Sequence, residues 1–353
     1  MTPGIRINGE WVSAAALPRW KQGRSGMEAE LADFLEEWYG SAEGVRLQSS
    51  GSTGEPKSFD APKTYLRVSA RASLAAFGLK PGARVLLCLP LRYIAGKMMA
   101  VRADVGQLHL LTAEPSSTPL PSPAEEPLDF AALVPMQVNR TLQLPDGRAR
   151  LENVRTLLLG GGFVDTATEE ALTSLTNRVY VSYGMTETYS HIALRRVNGA
   201  KRSACYTPLP GVRVALSAAG TLCLSAPHLG IQEMETQDMA EIAGDGSFRI
   251  LGRRDAVINS GGIKIQAESI ERALATAGIT ALALPQPDAL LGQCVALLWE
   301  GRHGEEALQT ALAALPRYHR PKHLYHLPEL PRTVTRKLSR AAAAAWLAEH
   351  QEH

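Results

Sequence analysis

The chain has 353 residues, 45% of them hydrophobic and 20% charged, enough for two cores of ordinary domain size. Lys and Arg exceed Asp and Glu by only two, leaving no net field for non-specific binding of a polyanion. The four cysteines, Cys88, Cys205, Cys223 and Cys294, lie far apart without a Cys-x-x-Cys pairing, which excludes a disulfide frame or zinc site and suits reduced thiols.

Short apolar runs alternate with helical patterns. Arg84–Leu89, 107–111, Val154–Leu159 and Val179–Ser182 read as buried strands because their apolar runs are unbroken. Tyr65–Phe77 and Thr168–Thr176 read as helices between them. Strand–helix alternation predicts an α/β chain with a mainly parallel sheet covered on both faces. The longest apolar stretch, Val85 to Val101, is interrupted by Arg92 and Lys97, and the first residues show no signal-peptide core, so a cytoplasmic location is expected. Glu114–Pro127 carries five prolines and reads as an exposed connection. Val212–Leu216, Thr221–Ser225 and Phe248–Leu251 are close enough together for an antiparallel subdomain. After Gly252–Asp255 the pattern becomes a compact α+β unit: helix 267–277, strands 280–284 and 294–299, helix 305–315 and helix 339–350. The division predicted is residues 1–253 and 254–353.

Five segments carry candidate chemistry. Ser49-Ser50-Gly51-Ser52-Thr53-Gly54-Glu55-Pro56-Lys57 offers backbone N–H groups and hydroxyls to phosphate oxygens, with Lys57 as a point charge. Pro56 stands where the common nucleotide-triphosphatase loop needs Gly, so that motif is excluded; a flexible polar linker has the same composition. Val179–Thr188 brings Tyr183, Gly184, Thr186 and Glu187 to a strand's C-terminal end, where ligands bind in open α/β sheets and a hard carboxylate suits Mg²⁺. An ordinary strand-end turn capped by Thr186 fits the same residues. Asp238, Arg253 and Asp255 suit paired recognition of ribose hydroxyls. Ser260-Gly261-Gly262-Ile263-Lys264 is a glycine turn into a strand or helix. Pro331–Arg340 is a basic loop before the last helix, alternatively a solvated run with a cap.

Taken in order, these segments resemble the acyl- and aryl-CoA synthetases of the adenylate-forming superfamily, over nearly the whole chain from Ser49 to Arg340. The resemblance implies that Ser49–Lys57 holds the ATP phosphates, with Tyr183–Glu187 as the Tyr-Gly-x-Thr-Glu motif and Gly160-Gly161-Gly162 as a glycine run shared by nucleotide (Gly161) and acid (Gly160, Gly162). It further implies Asp238 and Arg253 as the ribose pair, Asp255 as a hinge, Glu187 as the Mg²⁺ ligand and Lys337 as the catalytic lysine. Coenzyme A would pass Gly261, Gly262 and Lys264 after rotation of a small mobile C-terminal domain. Three stretches, Tyr93–Met99, Val134–Val138 and Gly184–Arg195, are similar to the o-succinylbenzoate–CoA ligases of menaquinone synthesis. That likeness implies a substrate with a second, unreacting carboxylate. Lys97 and Arg195 are candidates to meet it, and His191 to meet a keto group, a structural histidine fitting equally.

Two departures accompany the resemblance. The phosphate loop begins at residue 49, shallower than in relatives, so the pocket has fewer walls or a second subunit of a homodimer completes it. Arg336 replaces the glycine before the lysine, at a cost of about 1 kcal/mol if that position needs φ > 0. The alternatives are a ligase for another aryl or short acyl acid, a loader of carrier proteins, and a non-catalytic nucleotide-binding module.

Overall fold

The computed structural model describes residues 3–48, 58–162, 164–301, 305–333 and 338–350. In chain order, β1 (Gly4–Ile7) and β2 (Glu10–Ser13) form a hairpin, followed by α1 (Leu17–Lys21) and α2 (Gly26–Tyr39). Then come β3 (Gly44–Gln48), β4 (Ser58–Pro62), α3 (Lys63–Phe77), β5 (Arg84–Leu87), α4 (Ile94–Gly106) and β6 (His109–Thr112). The next segment holds β7 (Leu128–Leu133), α5 (Pro135–Leu142), α6 (Gly147–Glu152), β8 (Val154–Leu159) and α7 (Thr166–Thr173). It ends with β9 (Arg178–Met185), β10 (Ser190–Arg196) and β11 (Thr207–Pro208).

A nine-stranded sheet has the order β11-β10-β9-β8-β7-β5-β6-β1-β2. Its six inner strands, β9 to β1, run parallel, and antiparallel strands close both edges. The parallel strands are unbroken apolar runs because helices cover both faces: Val85 and Leu87 bury toward one core cluster, Leu86 and Leu157 toward another. The apolar stretch Val85–Val101 resolves into β5 and the buried α4. Met98 to Ala103 are all buried on consecutive positions, the pattern of a helix enclosed on every side. Among the described residues no helix is long and apolar enough to cross a membrane. The proline-rich connection before β7 lacks regular structure but is not wholly exposed, since Leu120 is buried in the second cluster.

Residues before 49 join the core of the main sheet. Ile5 and Ile7 alternate inward from β1, which extends the parallel sheet beyond β6, while Leu31, Leu35 and Trp38 on one stripe of α2 join the same core. β3 and β4 pair in antiparallel register with Gln48 opposite Ser58, so the two ends of the serine/glycine segment leave adjacent strands. Ser49–Lys57 itself lies outside the described residues.

β12 (Arg213–Leu216), β13 (Thr221–Ala226), β14 (Ile231–Ile242) and β15 (Phe248–Arg253) form an antiparallel sheet in sequential order. Its join to the main sheet is a backbone bridge between Tyr206 and Phe248. The chain continues with β16 (Val257–Ser260), β17 (Ile263–Gln266), α8 (Ala267–Thr276), β18 (Thr280–Asp288) and β19 (Gly292–Glu300). α9 (Glu305–Ala313), β20 (His323–Leu327) and α10 (Arg340–Glu349) complete it. These strands make a sheet of their own, covered on one face by α8 and α9 and on the other by α10, with separate core clusters.

Candidate active site

The strand order reverses between β5 and β7, and β8 and β9 follow β7 on that side of the sheet. Such a switch point is where open α/β sheets hold ligands, because neighbouring loops diverge and leave a crevice. Gly160, Gly161 and Gly162 follow β8. An added Cβ at Gly160 would fall 2.7 Å from Ser182 Oγ of β9, and one at Gly162 would touch Pro135 just beyond β7. Side chains here would crowd Ser182 and Pro135 at the ends of the neighbouring strands.

β9 ends in Tyr183-Gly184-Met185. Gly184 lies beneath the β9–β10 turn so closely that a Cβ would sit 2.3 Å from Ser190 O and 2.6 Å from His191 Cα, a steric reason for glycine after the tyrosine. Thr188 ties the turn: its Oγ1 accepts from Met185 N and donates to Ser190 O. Tyr189 completes it in the left-handed region at φ 61°. Thr186 and Glu187 stand on the turn, and the Glu187 carboxylate is exposed with no ion-pair partner among the described residues. No group of three or more His, Cys, Asp or Glu side chains suited to a metal occurs among those residues. One exposed carboxylate without an ion-pair partner among the described residues fits Mg²⁺, which commonly takes one or two protein carboxylates and completes its shell with substrate phosphates and water.

Tyr183 links the turn to the antiparallel sheet. Its hydroxyl donates to Asp238 Oδ2 at 2.6 Å, and its ring packs edge-on against Phe248 and near Tyr206. Burial first, and then the Asp238 carboxylate, push the tyrosine's pKa up, so it remains a donor. Asp238 on β14 faces Arg253 on β15 in register, with Arg253 Nη1 3.9 Å from Asp238 Oδ1. Arg253 in turn grips Asp255 with two hydrogen bonds of 2.9 and 2.7 Å, holding the Asp255 carboxyl below its ordinary range. Tyr183, Asp238, Arg253 and Asp255, separated by up to 72 positions in sequence, therefore form one chain of contacts. Tyr206 and Phe248 had no local signal; they are aromatic residues on separate segments whose role comes from the bridge that joins them.

The three candidates for the acid's recognition are engaged internally. Arg195 makes a two-pronged pair with Glu169 of α7, both bonds 2.7 Å, and lies over Tyr206. Lys97 Nζ donates to Arg46 O at 2.6 Å and pairs with Glu37 at 3.5 Å. His191 is buried, with Nε2 3.0 Å from Ser73 Oγ, Nδ1 3.3 Å from Ser190 Oγ, and Phe77 against its ring. Burial and then the nearby Arg102 charge hold its pKa well below 6.5, so it is a neutral, hydrogen-bonded core histidine.

Gly261 and Gly262, at φ 57° and 82°, form the two-residue turn between β16 and β17. Both central positions are left-handed, as a turn matching the strand twist requires. The segment is a hairpin, and Lys264 is exposed on its second strand. Lys337 and Arg336 lie outside the described residues; Ser339 caps α10 just beyond them.

Residues 47–228, just over half the chain, match the family described as AMP-binding enzyme. The chain belongs to the AMP-binding enzyme family. The 2-succinylbenzoate–CoA ligase of Lactococcus lactis subsp. lactis strain IL1403 is 27% identical over 332 residues, covering 88% of this chain and 71% of that one. A solved acyl-CoA synthetase (AMP-forming)/AMP-acid ligase II-like protein from Dyadobacter fermentans is 35% identical, with TM-score 0.64, covering 95% of this chain and 99% of that one. The o-succinylbenzoate CoA synthetase (MenE) of Bacillus subtilis, solved with the acyl-adenylate OSB-AMP, shares the fold at TM-score 0.71 and 20% identity, over 90% of this chain and 76% of that one. The fold is that of the AMP-forming acyl-CoA synthetases, and the Bacillus subtilis synthetase has also been solved in complex with ATP and a magnesium ion.

Proposed function

We propose that this chain is an ATP-dependent acid–thiol ligase that adenylates 2-succinylbenzoate and transfers the acyl group to coenzyme A, releasing AMP and pyrophosphate. The observation that carries the reading is the Tyr183–Asp238–Arg253 chain beside the Glu187 turn, at the C-terminal edge of the sheet. The Lactococcus relative, named for this substrate, supports its finer part.

In the first half-reaction a carboxylate oxygen of the acid attacks the α-phosphorus of ATP and pyrophosphate leaves. The acid needs no general base, because a carboxyl of pKa about 4 is already ionised at neutral pH. The requirement is control of charge between two anions. Asp238 would accept the ribose hydroxyls, fixed for that task by Tyr183, and Arg253 would donate to them. Ser49, Ser50, Gly51, Ser52, Thr53, Gly54 and Lys57 would hold the β- and γ-phosphates, with Gly161, Gly184 and Thr186 lining the nucleotide. Glu187 would hold Mg²⁺, which supplies charge neutralisation at the phosphates. Lys337 would bridge the attacking carboxylate and the α-phosphate. In the second half-reaction the coenzyme A sulfur attacks the acyl carbon, loses its proton to solvent, and AMP leaves. Residues 254–353 would rotate about Asp255 between the steps, exchanging Lys337 for the Gly261-Gly262 turn and Lys264. Gly160 and Gly162 would border the acid.

ATP-dependent pyrophosphate release and thioester formation, measured with 2-succinylbenzoate, benzoate and acetate, test this reading. Preference for 2-succinylbenzoate supports it. Preference for another acid leaves the ligase chemistry and removes the substrate; release with none removes both. Lys337→Ala is expected to slow pyrophosphate release by roughly 3–4 kcal/mol of barrier, like loss of other electrostatic donors.

A further inference from the structure

The Glu187 turn ends in a strained residue. Among the described residues Asn8, Gln107, Tyr189 and Glu233 have positive φ without being glycine, and of these Tyr189 is the aromatic one. It closes the helical turn Thr186–Thr188 at φ 61° and ψ −12°, its N–H donating to Thr186 O at 3.0 Å. The left-handed region crowds a bulky side chain, and such a conformation persists only where its surroundings enforce it.

Those surroundings come from two directions. The Tyr189 ring meets Tyr65 with centroids 5.6 Å apart and planes at 32°. It also packs against both the core of the main sheet and the core of the antiparallel sheet. Tyr65 is itself wedged in place: a Cβ on Gly230, which follows the turn Pro227–Leu229, would fall 2.6 Å from its hydroxyl. Tyr65 stands in the first turn of α3, which follows β4 without a break, and β4 begins where Ser49–Lys57 ends. The ring pair therefore joins the exit of the serine/glycine segment to the Glu187 turn.

Glu187 lies two residues before Tyr189 and has no ion-pair partner among the described residues, so the backbone of its turn directs its carboxylate. β10 is pinned to β9 by its ladder, with Ser190 opposite Met185. A change of φ at Tyr189 would swing the preceding turn against that fixed strand, and Glu187 with it.

We propose that Tyr65 and Tyr189 are positioning residues for Glu187: their contact holds Tyr189 left-handed and so aims the carboxylate at the Mg²⁺ of a bound nucleoside triphosphate. The assignment rests on the ligase reading, in which Glu187 meets that ion.

Calorimetric binding of ATP, without acid and so without turnover, tests it in EDTA and in excess Mg²⁺. Tyr65→Ala is expected to weaken binding with Mg²⁺ about tenfold while binding in EDTA stays within about twofold of wild type, the pattern also expected of Glu187→Gln. Tyr65→Phe, which keeps the ring, should bind as wild type does. The deciding comparison uses Tyr189→Gly, since glycine adopts φ 61° without a brace. Adding Tyr65→Ala to that variant should change binding with Mg²⁺ by less than about twofold. Equal loss with and without Mg²⁺, or equal loss in both backgrounds, overturns the proposal, because either marks a general loosening of the fold. Wild-type binding by Tyr65→Ala beside weakened binding by Glu187→Gln also overturns it and leaves the ligase reading intact. If Glu187→Gln binds as wild type does, or wild type binds no ATP, the metal assignment fails and the proposal with it; pyrophosphate release then judges the ligase chemistry separately. Where Tyr65→Ala does not fold, Tyr65→Leu, which keeps apolar volume without the ring, is held to the same outcomes.

Discussion

His191 shows how much a residue's surroundings change its meaning. In sequence it follows the Glu187 turn and looks available; in the fold it is a neutral core histidine beside a fixed positive charge. The sign of the resulting pH dependence follows. The unfolded chain protonates this histidine below about pH 6.5, whereas the folded protein resists, so the unfolded state gains protons and stability falls as pH drops below that value. The slope is about 1.4 kcal/mol per pH unit for one such group. Thermal melts between pH 7.5 and 5 are expected to show it, with His191→Gln giving a shallower loss. Glu169 adds in the same direction at lower pH. Its hydrogen bonds from Arg195 lower its pKa, so its contribution is present above the ordinary carboxylate range and lost as pH falls through the lowered value. At the proposed ribose pair, Asp238→Asn is expected to raise KM for ATP about tenfold through loss of a charged acceptor. Tyr183→Phe, which removes one hydrogen bond, is expected to act less, about 1 kcal/mol.

Among the elements, the β16–β17 hairpin and α10 differ in what they risk. Gly261 and Gly262 carry the turn in left-handed conformation, and a Cβ on Gly261 would also approach Leu291 Cδ2 to 3.0 Å. Gly261→Ala is expected to cost on the order of 1 kcal/mol. It should reduce thioester formation more than pyrophosphate release, if this turn meets coenzyme A. The start of α10 is anchored by Arg340, which makes a two-pronged bond to Glu271 of α8 and donates to Ala283 O. Glu271 is largely buried, and desolvation raises its pKa despite the pairing. Arg340→Met leaves that carboxylate without its cation. A loss of about 2 kcal/mol is expected in denaturant unfolding, less than for a fully buried pair.

For the whole molecule, the interest lies in how residues 254–353 connect to the rest. Gln266 Nε2 donates to Arg253 O, and Glu268 accepts from Arg253 N, so α8 begins on the same residue that faces Asp238. Asp255 is two residues further on. If residues 254–353 rotate about Asp255 as proposed, Asp255→Pro is expected to spare pyrophosphate release and depress thioester formation by about tenfold or more, because proline restricts backbone rotation. Parallel loss of both half-reactions would place the rotation elsewhere.

The sequence alone determined the alternating α/β architecture, the antiparallel insertion and the α+β tail, because each rests on local periodicity and turn chemistry that survive any packing. It also determined the order of the family's motifs, and with it Tyr183, Glu187, Asp238 and Arg253 as candidates. It missed β1, β2, α2 and the β3–β4 hairpin: the strands, of four and five residues, alternate too briefly to show a period, whereas α2 carries a readable stripe in Leu31, Leu35 and Trp38. Tertiary structure alone decided which charges are already spent. Arg195, Lys97 and Arg102 look equivalent as letters, yet two have internal acids and one has a lone serine hydroxyl. Charge neutralisation depends on contacts across more than 20 positions of chain, on Glu169, Glu37 and Ser190, and distance in space is not written in the spacing of residues.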